Sequence, residues 1–195
     1  MNIVFLHGLN NTANTFNYII DRLTIKNASI KKITYNTHNR ISTILEEVIP
    51  KLPRGKFCLV GHSLGGVVAT LIASKFPDRT QKLVTISSPL RGSKAAQYLM
   101  LIPGHLKIME DLAPNSSVMR RISRMQLDTP TLSLISTRGH FPIIPILDEP
   151  NDGVVAISSQ KGLSFAKKIE LDSNHFEILL NLKTIEILNS TLGNK

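Results

Sequence analysis

Cys58-Leu-Val-Gly-His-Ser-Leu-Gly-Gly66 sets Ser63 in a G-x-S-x-G pattern, straight after an apolar run and straight before a helix-forming one. A serine on a sharp strand-to-helix turn exposes its Oγ at the cost of backbone strain, and Gly61 and Gly65 allow neighbouring elements to approach closely. The helix that opens behind it leaves backbone N–H groups without intrahelical partners, aimed at any negative charge that develops there. Such a turn suits attack on an acyl carbon. The pattern is short enough to arise by chance, so its meaning depends on what the rest of the chain supplies.

Working outward, strand and helix signals alternate. Before the turn, apolar runs at 3–6, 30–35 and 57–60 read as strands. Helical spacing appears at 15–23, with Phe16, Ile19, Ile20 and Leu23 on one face, and at 41–49, stopped by Pro50. After it come a helix at 64–76 ended by Pro77, strands at 83–87, 132–136 and 165–171, and an amphipathic helix at 176–188. This alternation predicts an α/β fold, a parallel sheet covered on both faces. It is interrupted at 89–130, where apolar segments at 98–102 and 106–109 precede a basic stretch with Arg120, Arg121 and Arg124. Segments of that length inside compact domains usually serve function. We read it as a small helical insertion, cap-like, in a single domain spanning 1–195.

Composition narrows the class. A chain of 195 residues with 42% hydrophobic and 19% charged content buries about 70% of its unfolded surface and describes an ordinary globular protein. The single cysteine, Cys58, excludes an intrachain disulfide framework and reads as a buried, inert thiol. No basic leader and no apolar run of about 20 residues is visible, so the expected compartment is the cytoplasm. The net charge of +9 favours anionic surfaces, and an acidic lipid surface is the sharper expectation. Nucleic acid is not expected, because the basic residues are spread out and only three tyrosines and no tryptophan are available for stacking.

In open parallel sheets, chemistry gathers beyond the carboxyl ends of the strands. His7-Gly8-Leu9 follows the first strand, Ser63 the third, Asn151-Asp152-Gly153 the fifth and Asn174-His175 the sixth. The pieces Phe5-Leu-His-Gly-Leu9, Gly61-His-Ser-Leu-Gly-Gly66, Ser87-Ser-Pro-Leu-Arg-Gly-Ser93, Asn151-Asp-Gly-Val-Val155 and Asn174-His175 together resemble a small α/β-hydrolase of the lipase/esterase type. The Ser-Pro-Leu-Arg-Gly-Ser segment is similar to the Thr-Pro-His-Arg-Gly-Ser stretch of bacterial lipases and GPI-inositol-deacylase-like proteins, with Leu90 where histidine is common. The family usually has eight strands; this chain starts at what would be the third, which implies a sheet trimmed to about six.

The resemblance and the chemistry assign roles. Ser63 is the expected nucleophile, His175 its general base and Asp152 the acid that fixes the imidazole tautomer, in the chain order Ser, Asp, His. The backbone N–H groups of Leu9 and Leu64 are the expected oxyanion hole. Asp148 is the rival acid, four residues upstream, and Asp152 is preferred because Asp-Gly permits a tight turn. Asp172 lies too close to His175 in sequence for the usual placement. His7 reads as a structural hydrogen-bonder for the oxyanion loop, while His62 is expected to point into the fold on the far side of the turn. His38, His105 and His140 read as incidental. The apolar runs at 98–102 and 141–147 fit core and acyl-pocket roles equally.

The implied activity is hydrolysis of a small-molecule or lipid carboxylic ester through an acyl-enzyme, with no cofactor or metal. No calcium-loop spacing, zinc-type pairing or dinucleotide fingerprint is present in the sequence. The same residues would also serve a thioester or amide hydrolase or an acyltransferase. A catalytically silent lipid- or protein-binding module is the reading outside catalysis.

Overall fold

The computed structural model describes residues 1–139 and 149–193. Six strands form one parallel sheet: β1 (Asn2–Leu6), β2 (Ser29–Ile33), β3 (Phe57–His62), β4 (Thr80–Ile86), β5 (Thr131–Ser136) and β6 (Lys167–Leu171), in the spatial order β2-β1-β3-β4-β5-β6. The alternation of side chains along each strand divides the core in two. Val4, Leu6, Phe57, Leu59 and Leu83 face one layer; Ile3, Phe5, Cys58, Val60 and Val84 face the other. Helices α2 (Ile41–Val48) and α3 (Leu64–Lys75) cover the first face, and α8 (Leu182–Gly193) packs on the second. Residues 64–73 of α3 are all buried, since the helix lies between the sheet and residues of the 89–130 segment.

The helical spacing at 15–23 gives less helix than its periodicity predicts: a 3₁₀ turn at Ala13–Phe16 and a single turn, α1 (Asn17–Ile20). The closing helix is also divided. A 3₁₀ turn at Glu177–Leu179 comes first, and the Asn181 side chain then accepts the Lys183 N–H at 2.9 Å at the start of α8. β3 runs longer toward the turn than its apolar run indicates and extends through His62, whereas β2 and β4 end short of theirs, at Ile33 and Ile86. Between β4 and β5 lie three short helices, α4 (Lys94–Leu99), α5 (Lys107–Leu112) and α6 (Ser117–Ser123). A one-turn helix not foreseen from the sequence, α7 (Ile157–Gln160), precedes β6.

The strand order reverses between β1 and β3, which makes their carboxyl ends the switch point of the sheet. Leu6 pairs with Gly61 there, so the loops after both strands start side by side. The sheet edges carry paired lysines, Lys31 and Lys32 on β2 and Lys167 and Lys168 on β6, which discourage pairing with another chain.

Candidate active site

Ser63 joins β3 to α3 with φ 55° and ψ −123°, a conformation that costs a non-glycine residue strain. The surrounding glycines are there for space. A Cβ on Gly61 would meet the Gly65 carbonyl oxygen at 2.3 Å, and one on Gly65 would meet the Leu6 carbonyl oxygen at 2.0 Å. The strained turn is held by the Ser63 N–H, which donates to the Ile86 carbonyl at 2.8 Å. The Gly66 N–H donates to the Ser63 carbonyl at 3.0 Å. Since that carbonyl points into the helix, the Leu64 N–H across the same planar peptide points out of its amino end.

The loop after β1 is fixed just as closely. His7 Nδ1–H donates to the Gly8 carbonyl at 2.9 Å, and Nε2 accepts the Tyr35 N–H at 3.4 Å. Tyr35 stacks on the same ring at 4.4 Å and donates its hydroxyl to the His7 carbonyl at 2.5 Å. His7 thus holds this loop, as expected, and burial pushes its pKa down. With the Gly8 carbonyl turned to His7, the Leu9 N–H across that trans peptide points the opposite way. Gly8 packs so tightly that a Cβ there would lie 3.0 Å from the Ser63 Cβ.

At the far end of the site, His175 Nδ1–H donates to Asp152 Oδ2 at 2.8 Å, and the His175 N–H donates to the Asp152 carbonyl at 3.0 Å. Asp152 is fully buried. Its Oδ2 also accepts the Ser136 hydroxyl at 2.5 Å and Gln160 Nε2–H at 3.0 Å, while Oδ1 accepts the N–H groups of Val154 and Val155 at 3.0 and 2.7 Å. Burial pulls its pKa upward. The hydrogen bond and charge of His175, with the bonds from Ser136 and Val155, outweigh that and hold the carboxyl below its ordinary range. The tight turn expected at Asp-Gly is present, with Gly153 at φ 99°.

Ser136 and Gln160 were not legible as part of this group. Ser136 ends β5, at the carboxyl edge where the chemistry of an open sheet gathers, which is a usable signal; Gln160 carries none. Gln160 is pinned by the Ser136 N–H, which donates to its Oε1 at 2.9 Å, and Ser87 shares a hydroxyl hydrogen bond with Ser136 at 2.7 Å.

His62 is buried in the fold, as expected, but lies against the base rather than away from the site. Because β3 continues through it, His62 shares the face of Cys58 and Val60, and on that face lies the segment after β6 that carries His175. Its ring sits 4.9 Å from the His175 ring, and its Nε2–H donates to the His175 carbonyl at 2.9 Å. Burial, with the charge of His175, pushes its pKa down to about 3. Asp172 is 82% exposed in its side chain, with Arg138 4.0 Å away. The rival Asp148, His140 and the apolar run 141–147 lie outside the described residues. His38 is less incidental than expected, since its Nε2 lies 2.7 Å from Asn10 Oδ1. His105 lies 3.4 Å from Glu110 on α5.

Ser63, His175, Leu9 and Leu64 border one cavity of about 410 Å³. Its apolar wall comes from α4 and α5, through Ala96, Leu99, Met109 and Leu112, and from Val154 and Val155. The run 98–102 therefore divides: Leu99 lines the cavity, whereas Tyr98, Leu101 and Ile102 are exposed. With Ser93 and His62 also in the lining, the cavity offers the Ser63 hydroxyl on its strained turn, the His175 imidazole braced by a carboxylate, and an apolar slot. Among the described residues no cluster of metal-ligating side chains occurs, and no helix is long and apolar enough to cross a membrane.

A family model described as alpha/beta hydrolase fold matches residues 26–107. The sn-1-specific diacylglycerol lipase ABHD11 of Mus musculus is 26% identical over 142 residues, 65% of this chain and 46% of that enzyme, so the chain spans about half the length of this relative. Among solved structures, the mature form of the Bacillus licheniformis lipase BlEst2 superposes with a TM-score of 0.70 at 16% identity, covering 98% of this chain and 91% of that one. The lin2722 gene product of Listeria innocua gives 0.67 at 19% identity, covering 100% and 94%. At these identities the structural likeness is one of fold.

Proposed function

We propose that the chain is an α/β-hydrolase of the lipase/esterase type that cleaves carboxylic esters with Ser63 as nucleophile, His175 as general base and Asp152 as its partner. The observation that carries this reading is the His175–Asp152 hydrogen bond of 2.8 Å, in a group whose imidazole opens on the same cavity as the strained Ser63. Ser63 attacks the ester carbonyl as His175 takes its proton. The N–H groups of Leu9 and Leu64 receive the developing oxyanion, a donor of this kind being worth about 3 kcal/mol. His175 protonates the departing alcohol, and water then releases the acid by the same steps in reverse.

The substrate class follows from the walls. A cavity of about 410 Å³ sits near the lower end of the small-molecule range, room for one apolar acyl chain. In a lipid ester with two chains, the second would rest outside, against the exposed Leu101 and Ile102 beside Leu99. Those residues and the +9 charge support peripheral contact with an anionic lipid surface.

The test is hydrolysis of p-nitrophenyl esters from acetyl to palmitoyl, with thioester and anilide analogues alongside. Wild-type protein is expected to prefer esters, and Ser63→Ala and His175→Ala to lose at least about 10³-fold in kcat. Full activity in Ser63→Ala would remove the nucleophile assignment, and a preference for thioester or amide would change the bond class.

A further inference from the structure

The fold brings a second histidine into contact with the first, and the mechanism above does not use it. His62 immediately precedes the nucleophile, is 1% exposed, and touches His175 in two ways, ring to ring at 4.9 Å and Nε2–H to carbonyl at 2.9 Å. Donating to a carbonyl fixes the Nε2–H tautomer and leaves Nδ1 unprotonated. That Nδ1 is buried without a hydrogen-bond partner among the described residues, and a Cβ on Gly8 would lie 3.3 Å from it. Burying an unpaired acceptor is costly, so the arrangement needs a compensating reason.

The reason lies in how His175 is held. It sits in the loop between β6 and the 3₁₀ turn Glu177–Leu179, with no regular element to fix it. Asp152 takes its ring Nδ1–H and its backbone N–H. Phe176 meets the ring edge-on at 5.1 Å. Asp152 thus grips one side of the residue, and the remaining backbone group, the carbonyl, is taken by His62 at the end of the nucleophile's own strand. The bond ties the base to the strand that carries Ser63, so the two cannot drift apart independently.

We propose that His62 is a positioning residue for the hydrolytic site, setting the distance between His175 and Ser63 by clamping the His175 carbonyl. This rests on the nucleophile and base assigned above. His62 is not itself a second base for Ser63: its Nε2 carries a proton committed to a carbonyl, and its buried Nδ1 makes no hydrogen bond among the described residues, to Ser63 or any other. Displacement of a reacting group by about 1 Å costs on the order of 10²-fold in rate, which sets the scale of the effect.

Two neutral, polar substitutions separate positioning from mere packing. His62→Gln puts an amide N–H where Nε2 was, whereas His62→Asn holds its amide short of the carbonyl. Each is compared with wild type by kcat and KM on the best ester and by the rate of inactivation with a fluorophosphonate. The His175 Nδ1–H proton resonance reports directly on the bond to Asp152. His62→Gln is expected within about threefold of wild type in kcat. His62→Asn is expected to lose 10- to 100-fold in kcat and in inactivation rate, with KM nearly unchanged and a broadened Nδ1–H signal. Asn equal to wild type, or Gln no better than Asn, would overturn the clamp. Ser63→Ala and His175→Ala run beside them: if either keeps full activity, the hydrolytic reading fails; if both are inactive while the His62 variants match wild type, only the clamp fails.

Discussion

Ser63, Gly8 and Asp152 each occupy a position that one atom more or less would disturb. A methyl group on Gly8 would press on the Ser63 Cβ at 3.0 Å and on His62 Nδ1 at 3.3 Å. Gly8→Ala should therefore fold, shift the loop that presents the Leu9 N–H, and lower kcat by roughly 10²-fold, the cost of a lost oxyanion donor. Wild-type kcat in that variant would deny the loop its role. Around Asp152, Ser136 and Gln160 both donate to the oxygen that receives His175. Hydrogen bonds to a charged group are worth about 1.5–3 kcal/mol, so Ser136→Ala should cost roughly tenfold or more in kcat with little change in KM. Ser136→Ala with kcat intact would mean that Asp152 needs no such support. At this scale Ser63, Asp152 and His175 stood out as candidates because each follows a strand signal in a distinctive local pattern, and the fold brings Asp152 to His175 and His175 to the cavity of Ser63. The parts of Ser136 and Gln160 did not stand out, because their bonds to Asp152 form only once the loop after β5 folds back, nor did the His62 contact, because a partner 113 residues away leaves no local trace.

The elements that carry these residues obey simpler rules. Gly65 lets α3 cross the end of β1, and a Cβ there would strike the Leu6 carbonyl oxygen at 2.0 Å. Backbone cannot yield as a side chain does, so Gly65→Ala is expected to fail in folding, read as loss of soluble protein and of the cooperative thermal transition. A soluble variant with unchanged Tm would contradict the close crossing. The cavity wall is a different matter, since it is built from side chains of the 89–130 segment. Met109 lines it from α5, and Met109→Trp should shorten the preferred acyl chain by several carbons while sparing acetyl esters. An unchanged chain-length profile would place the acyl group elsewhere. The strands and α3 were readable from period-2 and buried runs, whereas the first helix was overstated and the last, expected over 176–188, starts only at Leu182 and runs on to Gly193. There an apolar stripe continues across a 3₁₀ turn, and a period alone does not register where the backbone hydrogen bonds change.

Across the whole molecule, charge and burial set the response to acid. The unfolded chain protonates a histidine near 6.5, whereas folded His62 takes its proton only at about 3, with burial and His175 opposing the charge and Asp152 favouring it. Between those values the unfolded state binds one proton more, so stability rises with pH and is lost as pH falls through the window. The contribution of His62 alone is about 1.4 kcal/mol per pH unit. His7, also pushed down by burial, acts in the same direction. Urea unfolding at several pH values from 4 to 7 should show this slope, and His62→Gln should flatten it by its share. Parallel curves for the two proteins would contradict the burial of a neutral His62. The parallel sheet and its two covered faces were foreseeable from the alternation of strands and helices, but the strand order, with its reversal between β1 and β3, is a property of assembly that no segment carries alone.

The central claim is that Ser63 is an activated nucleophile. Its most direct test is fluorophosphonate labelling of the folded protein, with the modified peptide located by mass spectrometry in wild type and in His175→Ala. The account predicts stoichiometric modification on Ser63, slowed by orders of magnitude when His175 is removed and absent after denaturation. Labelling on another serine, or labelling of Ser63 at the same rate without His175, would contradict it.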